Sequence, residues 1–194
     1  EIDTVTDWCL KLFKDHYADK TITNEAIFYY VFSVLNNPNY RDKYKDNLKL
    51  ELPKIPFYKD FWRWVDYGKK IAEIQIEFES SEPYPILREE SDYKGNLKTI
   101  FRVDKIKGEI KLDEKTTLKG IPIEVFDFQL GIRSAVEWIL DQHKVKSIKD
   151  ETISTMFNDY SYKARKEDII SQIQRVITIS LNTLDITNQM KKMN

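Results

Sequence analysis

Phe128-Gln129-Leu130-Gly131-Ile132-Arg133-Ser134-Ala135-Val136-Glu137-Trp138-Ile139-Leu140-Asp141-Gln142-His143 is the stretch on which the reading of this chain turns. It reads as the end of a strand, a glycine turn and then a helix. Gly131 supplies the positive φ that a sharp strand-to-helix turn often needs. Val136, Ile139 and Leu140 recur at i, i+3, i+4 and make one apolar helix face. Arg133, Glu137 and Asp141 recur at i, i+4, i+8 and make a charged one. Arg133 and Ser134 are expected in the first turn, beside backbone N–H groups that no helical carbonyl satisfies and that can receive a phosphate. The same residues also suit an amphipathic core helix with a solvated charged face, in which Arg133 pairs with Glu137. Trp138 is expected in the core.

Outward from this stretch, the 194 residues suffice for one large domain or two small ones. The chain is 41% hydrophobic and 32% charged, which excludes a disordered polymer and allows a sizeable core. It holds no apolar run of about 18 residues, so no membrane span is expected. It opens with neither Met nor a signal-peptide pattern, as a fragment of a longer cytoplasmic protein would. One cysteine, Cys9, allows no internal disulfide and fits a reducing cytoplasm. With two histidines and one cysteine, no zinc or other metal site is expected.

A net charge of −1 conceals a local bias. Residues 94–119 hold eight Lys and Arg against four acids, whereas 51–93 hold six against ten. A basic strand region on a near-neutral chain suits a polyanion. It equally suits solvated hairpins with lysines guarding the sheet edges.

Periodicity places a helix from about Thr4 to Tyr17, with Val5, Trp8, Cys9, Leu12 and Phe13 as its stripe and Asp3 or Thr4 as cap. Thr23 caps a second helix that is apolar on nearly every side and is expected to be buried. Asn37 caps a short third one, with Pro38 in its first turn. Pro53 and Pro56 bracket an extended link. A long helix then runs from about Lys59 to Phe78, and Gly68 within it predicts close approach of another backbone. Trp62 and Trp64 are expected in that helix's core face, base stacking being the other use of such residues. Strands are predicted at 97–103, 109–112 and 116–118, and Ile123 to Phe128 is a fourth strand or a turn. Lys144 to Lys163 reads as a long polar loop, and the last helix runs from about Lys166 to Met190. The expected fold class is α+β. A helical part (1–79), an inserted small antiparallel sheet (80–128) and C-terminal long helices (129–194) form one domain.

Two ordered sets of residues then carry a resemblance. Glu25-Ala26-Ile27-Phe28-Tyr29-Tyr30-Val31 leads to Leu35-Asn36-Asn37-Pro38-Asn39-Tyr40-Arg41-Asp42-Lys43-Tyr44, Leu52-Pro53-Lys54-Ile55-Pro56-Phe57 and Phe61-Trp62. Gly120-Ile121-Pro122 precedes Leu130-Gly131-Ile132-Arg133-Ser134-Ala135-Val136-Glu137-Trp138-Ile139-Leu140-Asp141-Gln142. Together they resemble the C-terminal target-recognition domain of type ISP restriction–modification enzymes over about Thr21 to Met190. The chain departs from that pattern at Ile132, where relatives often have Asn, and at His143, where they often have Tyr. The segment from Tyr84 to Lys119 matches least, as a part that sets the sequence read would.

The resemblance implies sequence-specific recognition of double-stranded DNA within an enzyme that also carries a nuclease, a helicase-type ATPase and an adenine methyltransferase. ATP, Mg2+ and S-adenosylmethionine would act in those other domains, which would also be the partners of this one. This chain has no Asn-Pro-Pro-Tyr run and no phosphate-binding loop, so no catalytic residue and no cofactor is assigned to it. Glu109-Ile110-Lys111 mimics half of a metal-dependent nuclease site, but Asp104 is only five residues upstream on the same hairpin. Phosphate contacts are expected from Lys98, Lys105, Lys107, Lys111 and Lys119, and base-edge contacts from Arg102 (guanine) and Asn96 (adenine). Arg133 and Ser134 at the helix start are expected to hold a phosphate or a base, and Gln142 and His143, with the loop after them, form a second candidate surface. The competing reading is a protein–protein module without DNA specificity, with Tyr29, Tyr30, Tyr40 and Tyr44 as its partner surface.

Overall fold

A computed structural model describes residues 5–144 and 161–193. The chain is α+β and forms two compact units, Glu1–Glu77 with Asp185–Asn194, and Phe78–Leu184.

The first unit is helical: α1 (Asp7–Tyr17), α2 (Asn24–Asn36), α3 (Pro38–Lys43), α4 (Asn47–Leu50) and α5 (Phe61–Ile76). Local chemistry sets the starts. The Thr23 side chain accepts from the Ala26 N–H and the Asn37 side chain from the Asn39 N–H, with Pro38 in the first turn. The cap of α1 is Thr6, two residues beyond the predicted Thr4, because its hydroxyl reaches the Cys9 N–H at 3.3 Å. The core gathers Phe13, Ile27, Tyr30, Phe61, Trp64 and Ile71. Gly68 is buried in α5 because a Cβ there would fall on the Tyr29 carbonyl, the close approach its sequence position implied.

Two expectations change here. Trp8 and Leu12 of α1, and Phe28 of α2, are exposed, so neither helix buries its full apolar complement. Of the four tyrosines read as a partner surface, Tyr29 and Tyr44 are half-buried, and the other two serve the fold. Tyr30 and Tyr40 are buried, and their hydroxyls donate to the carbonyls of Pro56 (2.6 Å) and Lys54 (2.9 Å). Among the described residues the extended proline link pairs with no strand, and phenols satisfy two of its carbonyls. Trp64 is buried, whereas Trp62 is half exposed and donates its indole N–H to Asp19 at 2.8 Å.

The second unit holds a four-stranded antiparallel sheet, β1 (Leu87–Glu90), β2 (Thr99–Asp104), β3 (Glu109–Asp113) and β4 (Thr116–Lys119), in the order β1-β4-β3-β2. Ile110, Leu112 and Leu118 point into a core completed by Val125, Val136, Ile139 and Ile173. A bulge between Thr99 and Arg102 puts Phe101 at φ 45 and turns its ring inward, edge-on to Tyr162 at 5.7 Å. Residues 123–127 are a 3-10 turn and not a strand. Strand β1 carries no alternation of apolar and polar residues and was not predicted; only its pairing with β4 makes it a strand.

The opening stretch folds into a small hairpin, β5 (Gln129–Leu130) and β6 (Arg133–Ser134), followed directly by α6 (Ala135–Gln142). Gly131, at φ 71, makes the turn between β5 and β6 and not the turn into the helix. Helix α6 buries Ala135, Val136, Ile139 and Leu140, which leaves Trp138 on the outer side at 45% exposure, not in the core.

The last helix, α7 (Tyr162–Lys191), starts one turn before its predicted position. The loop predicted from Lys144 to Lys163 falls largely on 145–160, outside the described residues. Within the second unit, the start of α7 is fixed to the sheet by a buried ionic network. Tyr162 Oη donates to Asp113 Oδ2 at 2.6 Å, and Lys166 Nζ lies 2.9 Å from the same oxygen and donates to Thr116 Oγ1. Asp113 Oδ1 accepts the Lys115 and Thr116 N–H groups at 2.8 and 2.7 Å.

Candidate nucleic-acid interface

The pleat decides which basic residues of the sheet face outward. Ile110 and Leu118 go inward, so their neighbours go out. Cross-strand register sets Arg102 opposite Lys111, Lys111 opposite Thr117, and Thr117 opposite Glu89, one row across all four strands. Arg102 and Lys111 are exposed, and among the described residues neither has an ion-pair partner. Like charges directly opposite each other weaken a strand pair. Neither packing nor ion pairing accounts for this one, and it leaves a cationic centre on an open face.

Three of the other predicted lysines, Lys105, Lys107 and Lys119, lie beside acids. Lys119 lies 2.6 Å from Glu89 and 3.7 Å from Glu109, and the hydrogen bond to Glu89 raises its ammonium above the usual lysine range. Lys107 lies 3.9 Å from Asp104. Lys105 lies 2.9 Å from Glu137 and over the Phe126 ring. Lys115 is matched with Glu90 at 2.8 Å. The +4 surplus of the sequence is thus partly cancelled by acids from β1 and α6 that lie outside the 94–119 window. Asn96 and Lys98 are exposed on the β1–β2 loop, where the Lys98 N–H donates to Glu114 Oε2 at 2.7 Å.

At the start of α6 the structure corrects the phosphate-seat expectation. Ser134 is fully buried and is the N-cap, one residue before the first turn, while Arg133 belongs to β6. The Ser134 side chain accepts from the Glu137 N–H, and Glu137 Oε2 accepts from the Ser134 N–H at 3.0 Å and its hydroxyl at 2.7 Å. This capping box occupies the Glu137 N–H, and the Ala135 N–H donates to the Phe128 carbonyl at 3.0 Å, so two of the first-turn donors are taken by the chain's own groups. Burial works to raise the Glu137 carboxyl, but hydrogen bonds from Lys105 and Ser134 outweigh it and hold the group below its ordinary value. Arg133 pairs with Asp141, which also lies 2.5 Å from Lys144, so the expected Arg133–Glu137 pair is replaced by a longer reach along the helix. Gln142 is exposed at the end of α6.

Glu137 is the site-region residue the residue-level reading missed as a cap. Its signal, Ser-x-x-Glu before an apolar run, was present at 134–137. The nuclease-like Glu109 lies in register with Asp104 and near Lys119. Among the described residues no cluster of His, Cys, Asp and Glu could hold a metal ion, and no helix is long and apolar enough to cross a membrane.

Comparison with known proteins places this geometry. A family model described as the type ISP C-terminal specificity domain matches residues 1–172. Among solved structures, a DrdV–DNA complex is 41% identical, with a TM-score of 0.89 over 95% of this chain and 20% of the other. A nuclease-deletion mutant of the type ISP restriction–modification enzyme LlaGI, in complex with a DNA substrate mimic, is 28% identical (TM-score 0.67, covering 88% of this chain and 16% of that one). The ATP-dependent type ISP enzyme LlaBIII bound to DNA shares the fold at 24% identity (TM-score 0.72, covering 94% and 12%). The chain therefore spans a fifth or less of the length of these solved chains. No curated protein matches it.

Proposed function

The chain belongs to the family of type ISP C-terminal specificity domains, and on that premise we propose that it reads the target sequence of double-stranded DNA for a restriction–modification enzyme. The adenine methyltransferase, helicase-type ATPase and nuclease, with S-adenosylmethionine, ATP and Mg2+, belong to the rest of that enzyme. The cytoplasm is its place of action. Two relatives above 25% identity are DNA complexes by description, which supports the same reading.

The observation that carries the proposal is the Arg102–Lys111 pair on the open face of the sheet. Its charge attracts the phosphate backbone, and the Arg102 guanidinium can take guanine O6 and N7 together in the major groove. Lys111 holds a phosphate beside it. A partner-protein surface made of tyrosines is disfavoured, since Tyr30 and Tyr40 are buried in the helical core.

The test is binding of the 194-residue chain to a pool of random duplexes, titrated in salt, with the bound fraction sequenced. A motif is expected to be enriched, with affinity falling steeply as salt rises. Arg102→Ala should lose affinity about tenfold or more on that motif and less on random DNA, and Lys111→Ala should lose it evenly while flattening the salt slope by about 1. Equal loss on both DNAs would make Arg102 a phosphate contact. No binding at low salt would return the chain to the protein-partner reading.

A further inference from the structure

We infer that Tyr93 is a specificity-determining residue whose ring packs on the 5-methyl group of a thymine in the major groove, while Asn96 reads the adenine of the same base pair. The inference rests on the DNA-reading role proposed above and deepens it to one loop and one kind of base pair.

Residues 91–98 join β1 to β2, and both ends of the loop are tied to the β3–β4 turn. The Ser91 N–H donates to the Lys115 carbonyl at 2.9 Å and its hydroxyl to the Glu114 carbonyl at 3.2 Å. The Lys98 N–H closes the other end on the Glu114 carboxylate at 2.7 Å. Between these ties, Asp92, Tyr93, Lys94, Gly95 and Asn96 are all exposed. The tip is therefore held at its stem and free at its face.

Tyr93 is placed within that tip. A Cβ built on Gly95 would fall on the phenol end of the Tyr93 ring, so the ring rests against the Gly95 backbone. Gly95 does not occupy the left-handed region, which means the turn does not demand glycine there; the ring does. The hydroxyl end of the ring is what lies against Gly95, and the residue is still 42% exposed. Among the described residues its hydroxyl has no hydrogen-bond partner. An aromatic side chain ordered before a ligand arrives loses little entropy on binding.

Tyr93 and Asn96 stand three residues apart on the same tip. An A·T pair presents both of their targets in one groove: adenine N6 and N7 for a bidentate amide, and the thymine methyl for an apolar surface. Lys94 and Lys98 flank the pair and suit the phosphates on either side.

The test uses the motif enriched by the wild-type chain, resynthesised with deoxyuridine in place of each thymidine in turn. At one position, loss of the methyl is expected to weaken wild-type binding about fourfold. Tyr93→Ala should bind the thymine and uracil duplexes equally, and Tyr93→Phe should keep the discrimination; thermal melts would verify that both variants fold. A Tyr93→Ala chain that keeps the wild-type methyl sensitivity overturns the inference, as does a wild-type chain indifferent to every methyl. A wild-type chain that binds DNA but enriches no motif overturns sequence reading itself, and the loop's role with it.

Discussion

The two units of this chain are held together by different physics. In the first, aromatic rings pack edge-on and stacked around Phe13, Tyr30 and Phe61, and buried phenols tie down a proline link. The buried hydroxyls of Tyr30, Tyr40 and Ser33 donate to backbone carbonyls there. In the second, a largely aliphatic core lies beneath a charged sheet, and the start of α7 is fastened by a carboxylate, an ammonium, a phenol and a threonine hydroxyl. A unit built on rings tolerates changes of charge and not changes of shape. A unit built on a buried ionic network has the reverse weakness. The open face proposed for DNA sits on the unit whose stability depends on charge.

The sharpest break of that comparison is Lys166→Ala. It leaves Asp113 buried without its cation, and the expected cost is about 3–5 kcal/mol, read as a fall in the denaturation midpoint. The same network gives a pH signature. Burial works to raise the Asp113 carboxyl, yet the hydrogen bonds from Tyr162, Lys166, Thr116 and Lys115 outweigh it and hold the group below its ordinary value. A depressed carboxylate contributes stability that is fully present above the unfolded value, near pH 4, and is lost as pH falls through the folded one. Hydrogen-exchange protection, measured against the intrinsic rate at each pH, should therefore fall in Phe78–Leu184 before it does in the helical unit as acid is added, and Asp113→Asn should narrow that difference.

The complementary break is Gly68→Ala in the first unit. Its methyl meets the Tyr29 carbonyl, a backbone atom that cannot swing aside, and about 3 kcal/mol should be lost at any pH. An effect that grew in acid would mean the two units do not divide the work as described. The smallest effect belongs to Trp138→Ala, expected to cost about 1 kcal/mol because the ring is half exposed. A loss of several kcal/mol there would put Trp138 back into the core.

Legibility in the sequence followed the range of each interaction. Thr23, Asn37 and Pro38 announced their helix starts because a cap needs only the next three residues. Gly68 announced a close approach because glycine inside an apolar stripe has few other uses. Trp138 misled, since its spacing allows either face. The capping box starts α6 at Ala135 and sends Val136, Ile139 and Leu140 inward, which turns Trp138 out. Strand β1 had no pattern to read, for Leu87, Arg88, Glu89 and Glu90 are all exposed and become a strand only beside β4. In the candidate site, residue types named Arg102 and Lys111 together with Lys105 and Lys119, which turned out to be paired, because their ion-pair partners come from strands and helices far along the chain.

By itself, then, the sequence determined the longer helices but not the one-turn α4, and it determined the hairpin region, the α+β class and the family resemblance, all of which rest on local chemistry and residue order. Tertiary structure alone decided which charges stay free. The fold brings Glu89 to Lys119, Glu90 to Lys115 and Glu137 to Lys105, and sets Arg102 beside Lys111 with no ion pair to either among the described residues. Coulomb pairing depends on distance in space, and distance in space is what a linear pattern does not carry.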